Sequence, residues 1–252
     1  MTTEAAARGI NNGFYEHLGD RWYEAQDDPV ALLRAEGRLK NPWVAERLAS
    51  RFPGRACRVL DVGCGAGFLA NSLSLAGHSV QGVDLSPGSL AVARGRDASG
   101  SAAYRVADAY RLPFRDGSFD AVASMDFLEH VESPGDAVAE AARVLRPGGL
   151  FFFHTFNRNP LAWLVVIKGL EWFVRNTPER MHVLRLFIKP KEMSAYCRAA
   201  GLVPEEWTGL RPEPERRAFW RMLRTGRVPE DFSFRFTPSL AIAYLGMAVK
   251  RV

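Results

Sequence analysis

Short runs of aliphatic and aromatic residues alternate along this chain with stretches whose apolar residues fall at helical spacing. Val59 to Val62, Ser79 to Asp84, Ala103 to Val106, Phe119 to Ser124, Leu150 to Phe153, Leu202 to Trp207 and Pro238 to Lys250 are the candidate strands. Between the first two, Phe68, Leu69, Ala70 and Leu73 predict a helix. Ser86 caps and Pro87 starts another, carried on by Ser89 to Arg96. Ala137, Val138, Ala141, Val144 and Leu145 form an apolar stripe that Arg146-Pro147-Gly148-Gly149 ends, and Lys191 to Gly201 forms a further helix closed by glycine. Asn11 to Asn41, aromatic and mixed in charge, predicts helices laid over a ligand mouth or over the edge of the sheet.

The first strand ends in Asp61-Val62-Gly63-Cys64-Gly65-Ala66-Gly67, with glycine at alternate positions. A Cβ in such a turn would block both a left-handed backbone and the close approach of a ligand. Asp84 ends the second strand, where a carboxylate accepts hydrogen bonds from ribose hydroxyls. The glycine spacing is G-x-G-x-G, with Phe68 where a dinucleotide fingerprint has its third glycine. Asp61 would repel a pyrophosphate but suits the amino group of a methionine moiety.

These residues resemble the class I S-adenosylmethionine-dependent methyltransferases. The resemblance implies a Rossmann-like α/β fold, with a mostly parallel seven-stranded sheet whose last strand is antiparallel. It also implies that Asp61 holds the methionine, Gly63, Gly65 and Gly67 the backbone turn, Asp84 the ribose, and Asp108 the adenine amino group, with Cys64, Leu85, Ala109 and Met125 beside them. Composition agrees with one such domain over residues 1–252: a helical cover over 11–50, a cofactor core over 57–156, a helical insertion over 157–190 and the rest of the sheet over 191–252. Cys57, Cys64 and Cys197 show neither metal spacing nor an even count, and the polar Met1 to Ala7 has no signal-peptide core, so a reduced, cytoplasmic setting is expected. A net charge of +5 is too mild to call for nucleic acid. The sequence sets no oligomeric state.

At the end of the fourth strand, Asp126, Glu129 and His130 stand at i, i+3 and i+4, which would put them on one face of a helical turn. So placed they could chelate a divalent cation, or His130 could serve as a general base. A closer resemblance begins at Asp20-Arg21-Trp22-Tyr23 and Leu39-Lys40-Asn41-Pro42-Trp43 and continues through Asn157-Arg158-Asn159, His182 and Phe187-Ile188-Lys189-Pro190. These segments are similar to the ubiquinone-biosynthesis O-methyltransferases. That family has Glu-x-x-Glu-His where this chain has Asp126, Glu129 and His130, which implies magnesium assistance and catalysis by His130 and Glu129. It also carries an arginine two residues after its Asn-Pro, near the methionine carboxylate. Here Val44 takes that place, leaving Arg38 or Lys40 to substitute.

The implied reaction is methylation of a phenolic or catecholic hydroxyl, with a polyprenyl phenol as substrate. Residues 161–175 are unusually apolar for a loop and carry Trp163 and Trp172. They form either a lid or a contact with a membrane surface, which would place the enzyme peripherally on the inner membrane face. The basic stretch Arg211 to Arg227 adds a solvated face or a lipid contact. A soluble phenolic metabolite would use the same core with 161–175 as a plain lid. A catalytically silent scaffold is disfavoured by the complete donor site.

Overall fold

The computed structural model describes residues 10–251, so the Met1 to Ala7 stretch lies outside the described residues. β1 (Arg58–Val62), β2 (Ser79–Asp84), β3 (Ala103–Val106) and β4 (Phe119–Met125) are parallel, as is β5 (Leu145–Phe156). β6 (Leu202–Pro212), β7 (Phe234–Thr237) and β8 (Ala243–Lys250) complete one sheet in the order β3-β2-β1-β4-β5-β8-β6-β7. β8 runs antiparallel to both β5 and β6. The expected seven strands are all present, with an eighth added: β7 pairs antiparallel with β6 at the open edge. Phe234-Arg235-Phe236-Thr237 is four residues long and only half-buried, too short a pattern to stand out from the flanking loops.

β4 is buried along its whole length, and Phe151, Phe152 and Phe153 of β5 are fully buried beside it. Helices cover both faces, as parallel strands buried on both sides require. Pro87–Gly95 is capped by Ser86, whose Oγ accepts from Ser89 N at 3.0 Å. Pro134–Val144 buries its Ala137, Val138, Ala141 and Val144 stripe. The N-terminal segment forms a turn of 3-10 helix over Asn12–His17 and a long helix over Val30–Arg51. The insertion winds through Pro160–Ala162, a π-helical stretch over Trp163–Lys168, and Gly169–Phe173.

The strand order reverses between β1 and β4, and there the carboxyl ends of neighbouring strands diverge into a crevice. Gly63 lines it with φ +70°, and a Cβ on Gly63 would come within 2.3 Å of the Phe127 ring. Gly67 takes the left-handed backbone expected of the turn, with φ +79°, but it caps the Phe68–Leu75 helix under Tyr104 and Ala93 and does not border the crevice. Gly63→Ala combines a left-handed backbone with overpacking, so it should lower unfolding stability in urea by about 2 to 4 kcal/mol. An unchanged denaturation midpoint would show that the Phe127 contact yields without cost.

Candidate active site

One cavity of about 760 Å³ opens at the crevice. Asp61, Gly63, Cys64, Gly65, Asp84, Leu85, Asp108, Ala109, Met125, Asp126, Glu129 and His130 all border it, so every predicted site residue except Gly67 converges there. Asp84 Oδ2 accepts from Gly65 N and Oδ1 from Ser86 N, both at 2.9 Å. These bonds fix the carboxylate and use two of its about four acceptor positions, leaving the others for ribose hydroxyls. Burial raises the pKa of Asp84. Asp108 sits on the rim with Oδ1 held by Tyr110 N at 2.9 Å. Asp61 is buried in β1, and burial together with the nearby Asp84 and Asp126 carboxylates pushes its pKa up to about 7. An ammonium group arriving beside it would offset that cost. A cavity of this size lined by three carboxylates could hold S-adenosylmethionine, and Asp61, Asp84 and Asp108 could accept from its amino, ribose and adenine groups.

The expected metal trio is not assembled. Asp126 has φ +56°, and the turn that follows, Leu128–His130, is a single 3-10 turn, so positions i, i+3 and i+4 do not stack on one face. The ligand atoms of Asp126, Glu129 and His130 do not all lie within 4.8 Å of one another; the trio that meets that distance among the described residues is Glu36, Asp126 and His154. Lys40 Nζ binds two members of this second trio, 2.8 Å from Glu36 Oε2 and 2.7 and 2.5 Å from the two Asp126 oxygens. Burial opposes the Lys40 charge, but Asp126 and Glu36 more than offset it and raise its pKa. Asp126 is held well below the usual carboxylate range: burial works against this, and Lys40 and His154 outweigh it. His154 Nδ1 lies 2.5 Å from Asp126 Oδ1, but neither ring nitrogen has a hydrogen bond of good geometry. Neither proposed substitute for the missing arginine is free. Arg38 donates to the Glu230 and Phe232 carbonyls, and Lys40 is committed to the two carboxylates.

Glu129 is fully buried with no hydrogen bond to either carboxyl oxygen, and the nearby Thr155 Oγ1 is unpartnered too. Burial, with repulsion from Asp126, pushes the Glu129 pKa up to about 8. His130 lies between the Tyr15 and His182 rings, at centroid distances of 5.6 and 5.3 Å. Asn12 Nδ2 donates to the His130 carbonyl at 3.1 Å, which turns Asn12 Oδ1 toward His130 Nδ1, also at 3.1 Å. Nδ1 therefore carries the hydrogen and Nε2 is left as an acceptor. Burial lowers the His130 pKa to about 4 and, with His130 beside it, that of His182 to about 3, so both rings are neutral. Asn12 gave no sign of this role in the sequence. Glu36 and Lys40 did leave one, an i,i+4 acid-base pair on a helix.

The same cavity is also lined by His182 and Phe156 and by the apolar Val166, Leu170, Phe219, Met222 and Phe232, which come from the insertion, the Arg217–Thr225 helix and the segment after it. A family profile described as a methyltransferase domain matches residues 60–153. The ubiquinone biosynthesis O-methyltransferase of Bordetella avium is 38% identical over 203 residues, covering 79% of this chain and 83% of that protein. The protein of the same name from Xanthomonas oryzae pv. oryzae is 39% identical over 202 residues, covering 79% and 82%. Among solved structures, magnesium protoporphyrin IX methyltransferase from Synechocystis PCC 6803 superposes with a TM-score of 0.64 over 98% of this chain and 99% of that one, at 17% identity, which shows a shared fold. With a donor cavity of this form, and relatives this similar over most of their length, the chain is an S-adenosylmethionine-dependent methyltransferase and belongs to the ubiquinone biosynthesis O-methyltransferase family.

Proposed function

We propose that the acceptor is a phenol or catechol carrying a prenyl tail, methylated on the ring oxygen. The observation that carries this reading is the lining of the cavity. Its polar end holds Glu129 and His130, and the apolar passage past Phe156 and Leu170 has the lining that a hydrocarbon chain requires. The relatives named for ubiquinone biosynthesis support the same class. When bound, S-adenosylmethionine supplies a methyl group already activated by a positive sulfur. What remains for the protein is to align the acceptor and to take a proton from a hydroxyl whose unperturbed pKa is about 10.

Two side chains share that task. His130 Nε2, neutral and unprotonated, accepts the hydrogen bond of the phenol and orients its oxygen. As the final proton acceptor it is poorly matched, since a pKa of about 4 falls some six units short of a phenol, on the order of 8 kcal/mol. Glu129, pushed up to about 8, is within about two units, and its buried, unpartnered carboxyl is the general base. Asn12 holds the His130 tautomer.

The insertion and the Arg217–Thr225 helix pack together. Between them they expose Leu161, Trp163, Leu164, Trp172 and Trp220, the last two at 61% and 62%. Leu164 and Trp172 also border the cavity. With Lys168, Arg217, Arg221 and Arg224 nearby in sequence, this surface suits an anionic membrane face, from which a prenyl tail would enter. No helix among the described residues is long and apolar enough to cross a membrane. The enzyme would thus act peripherally, on the inner membrane face.

Methyl transfer to prenylated catechols presented in anionic liposomes should exceed transfer to catechol itself by at least about tenfold in kcat/KM, and the protein should float with the liposomes. Equal transfer to both, without flotation, would favour a soluble phenol and reduce 161–175 to a lid. For Glu129, the base form exists above its pKa, so kcat/KM should rise about tenfold per pH unit below about pH 8 and level off above it. Glu129→Gln should lower kcat/KM by about 10² to 10⁴ and abolish that break. A break retained near pH 8 in the variant would remove Glu129 from the role.

A further inference from the structure

We propose that Lys40 is the resident cation of this site: its ammonium fills the point where Glu36, Asp126 and His154 converge, so methyl transfer proceeds without a divalent metal. Glu36, Asp126 and His154 bring one ligand atom each within 4.8 Å of one another, a set of two carboxylates and an imidazole that could hold an ion. The space is already taken. Lys40 Nζ lies 2.8 Å from Glu36 and 2.7 and 2.5 Å from the Asp126 oxygens, charge-assisted hydrogen bonds that use the carboxylate faces an ion would need. A magnesium ion wants near-octahedral oxygen ligands at about 2.0 to 2.1 Å, with several waters among them. Here the Lys40 side chain is 3% exposed and its ammonium already occupies the carboxylate positions such an ion would need.

Nor can the ammonium easily withdraw. Lys40 lies within the Val30–Arg51 helix, and neighbouring Trp43 and Val44 are buried in the core, which anchors its stem. A dication added beside the ammonium would meet direct repulsion at this range. The remaining residues of the expected metal motif are used otherwise: Glu129 has neither cation nor hydrogen-bond partner, and His130 is turned to Asn12. Lys40 is thus a positioning residue. It fixes Asp126 at the left-handed turn after β4 from which Glu129 and His130 follow.

The manganese measurements below do not depend on the phenol reading; the chelator measurement does. Titration of the full-length wild type with Mn²⁺, followed by electron paramagnetic resonance at neutral pH, should show no stoichiometric site. Lys40→Gln removes the ammonium and should gain one Mn²⁺ with about tenfold or greater affinity over wild type, and Lys40→Gln/Asp126→Asn should lose it. Methyl transfer by the wild type should be unchanged by chelator. Stoichiometric Mn²⁺ binding by the wild type that Asp126→Asn abolishes would overturn the proposal, and that comparison needs no Lys40 variant to fold. So would a folded Lys40→Gln, checked by circular dichroism, that gains no manganese. Absence of methyl transfer with and without chelator would instead count against the phenol reading and leave the manganese results standing.

Discussion

Charge buried at the carboxyl edge of a parallel sheet must be paired or neutralised, and that constraint shapes this molecule more than any other. Asp61, Asp84, Asp126 and Glu129 all stand on the crevice formed where β1 and β4 diverge. Asp126 meets the constraint by pairing with Lys40, which reaches across from a helix outside the sheet. Removing one partner of such a pair leaves an uncompensated buried charge, at a cost of about 3 to 5 kcal/mol. The pair therefore fixes the N-terminal helix over the crevice and, with it, the wall that Glu36 and Asn41 contribute. Asp84 meets the constraint differently, through the backbone N–H groups of Gly65 and Ser86. Glu129 has no partner and is neutral until about pH 8.

Two carboxyls three residues apart thus end in opposite states, Asp126 ionised and paired, Glu129 protonated and unpaired. Pushing neighbouring titratable groups apart in this way is how one site obtains both a fixed charge and a usable base. The same burial that raises Glu129 keeps His130 neutral, so its Nε2 can receive a hydroxyl hydrogen.

The donor half of the site was legible in the sequence because its signals are local. A strand, its glycine turn and the acid ending the next strand lie within 58–84, and β2 and β3 have the bounds their patterns predict. The acceptor half was not, because its decisive contacts join distant residues: Lys40 to Asp126, Asn12 to His130, His154 to Asp126. Helical spacing at Asp126, Glu129 and His130 suggested a shared face, but spacing has that meaning only on a regular helix, and the left-handed Asp126 breaks it. Gly67 is ambiguous in sequence for a related reason, since a glycine in such a loop can serve the ligand or the following helix, and only tertiary packing under Tyr104 separates the two. β7 carries little hydrophobic pattern because it is a four-residue edge strand with three half-buried residues and one exposed.

The most direct test of this site is a crystal structure with S-adenosylhomocysteine and a catechol bound together. The ribose should lie on Asp84, the sulfur between Gly63 and the acceptor, and the reacting oxygen within hydrogen-bond reach of His130 Nε2 with Glu129 beside it. An acceptor oxygen held away from both His130 and Glu129, or coordinated to a metal ion at Asp126 with Lys40 swung aside, would contradict this arrangement.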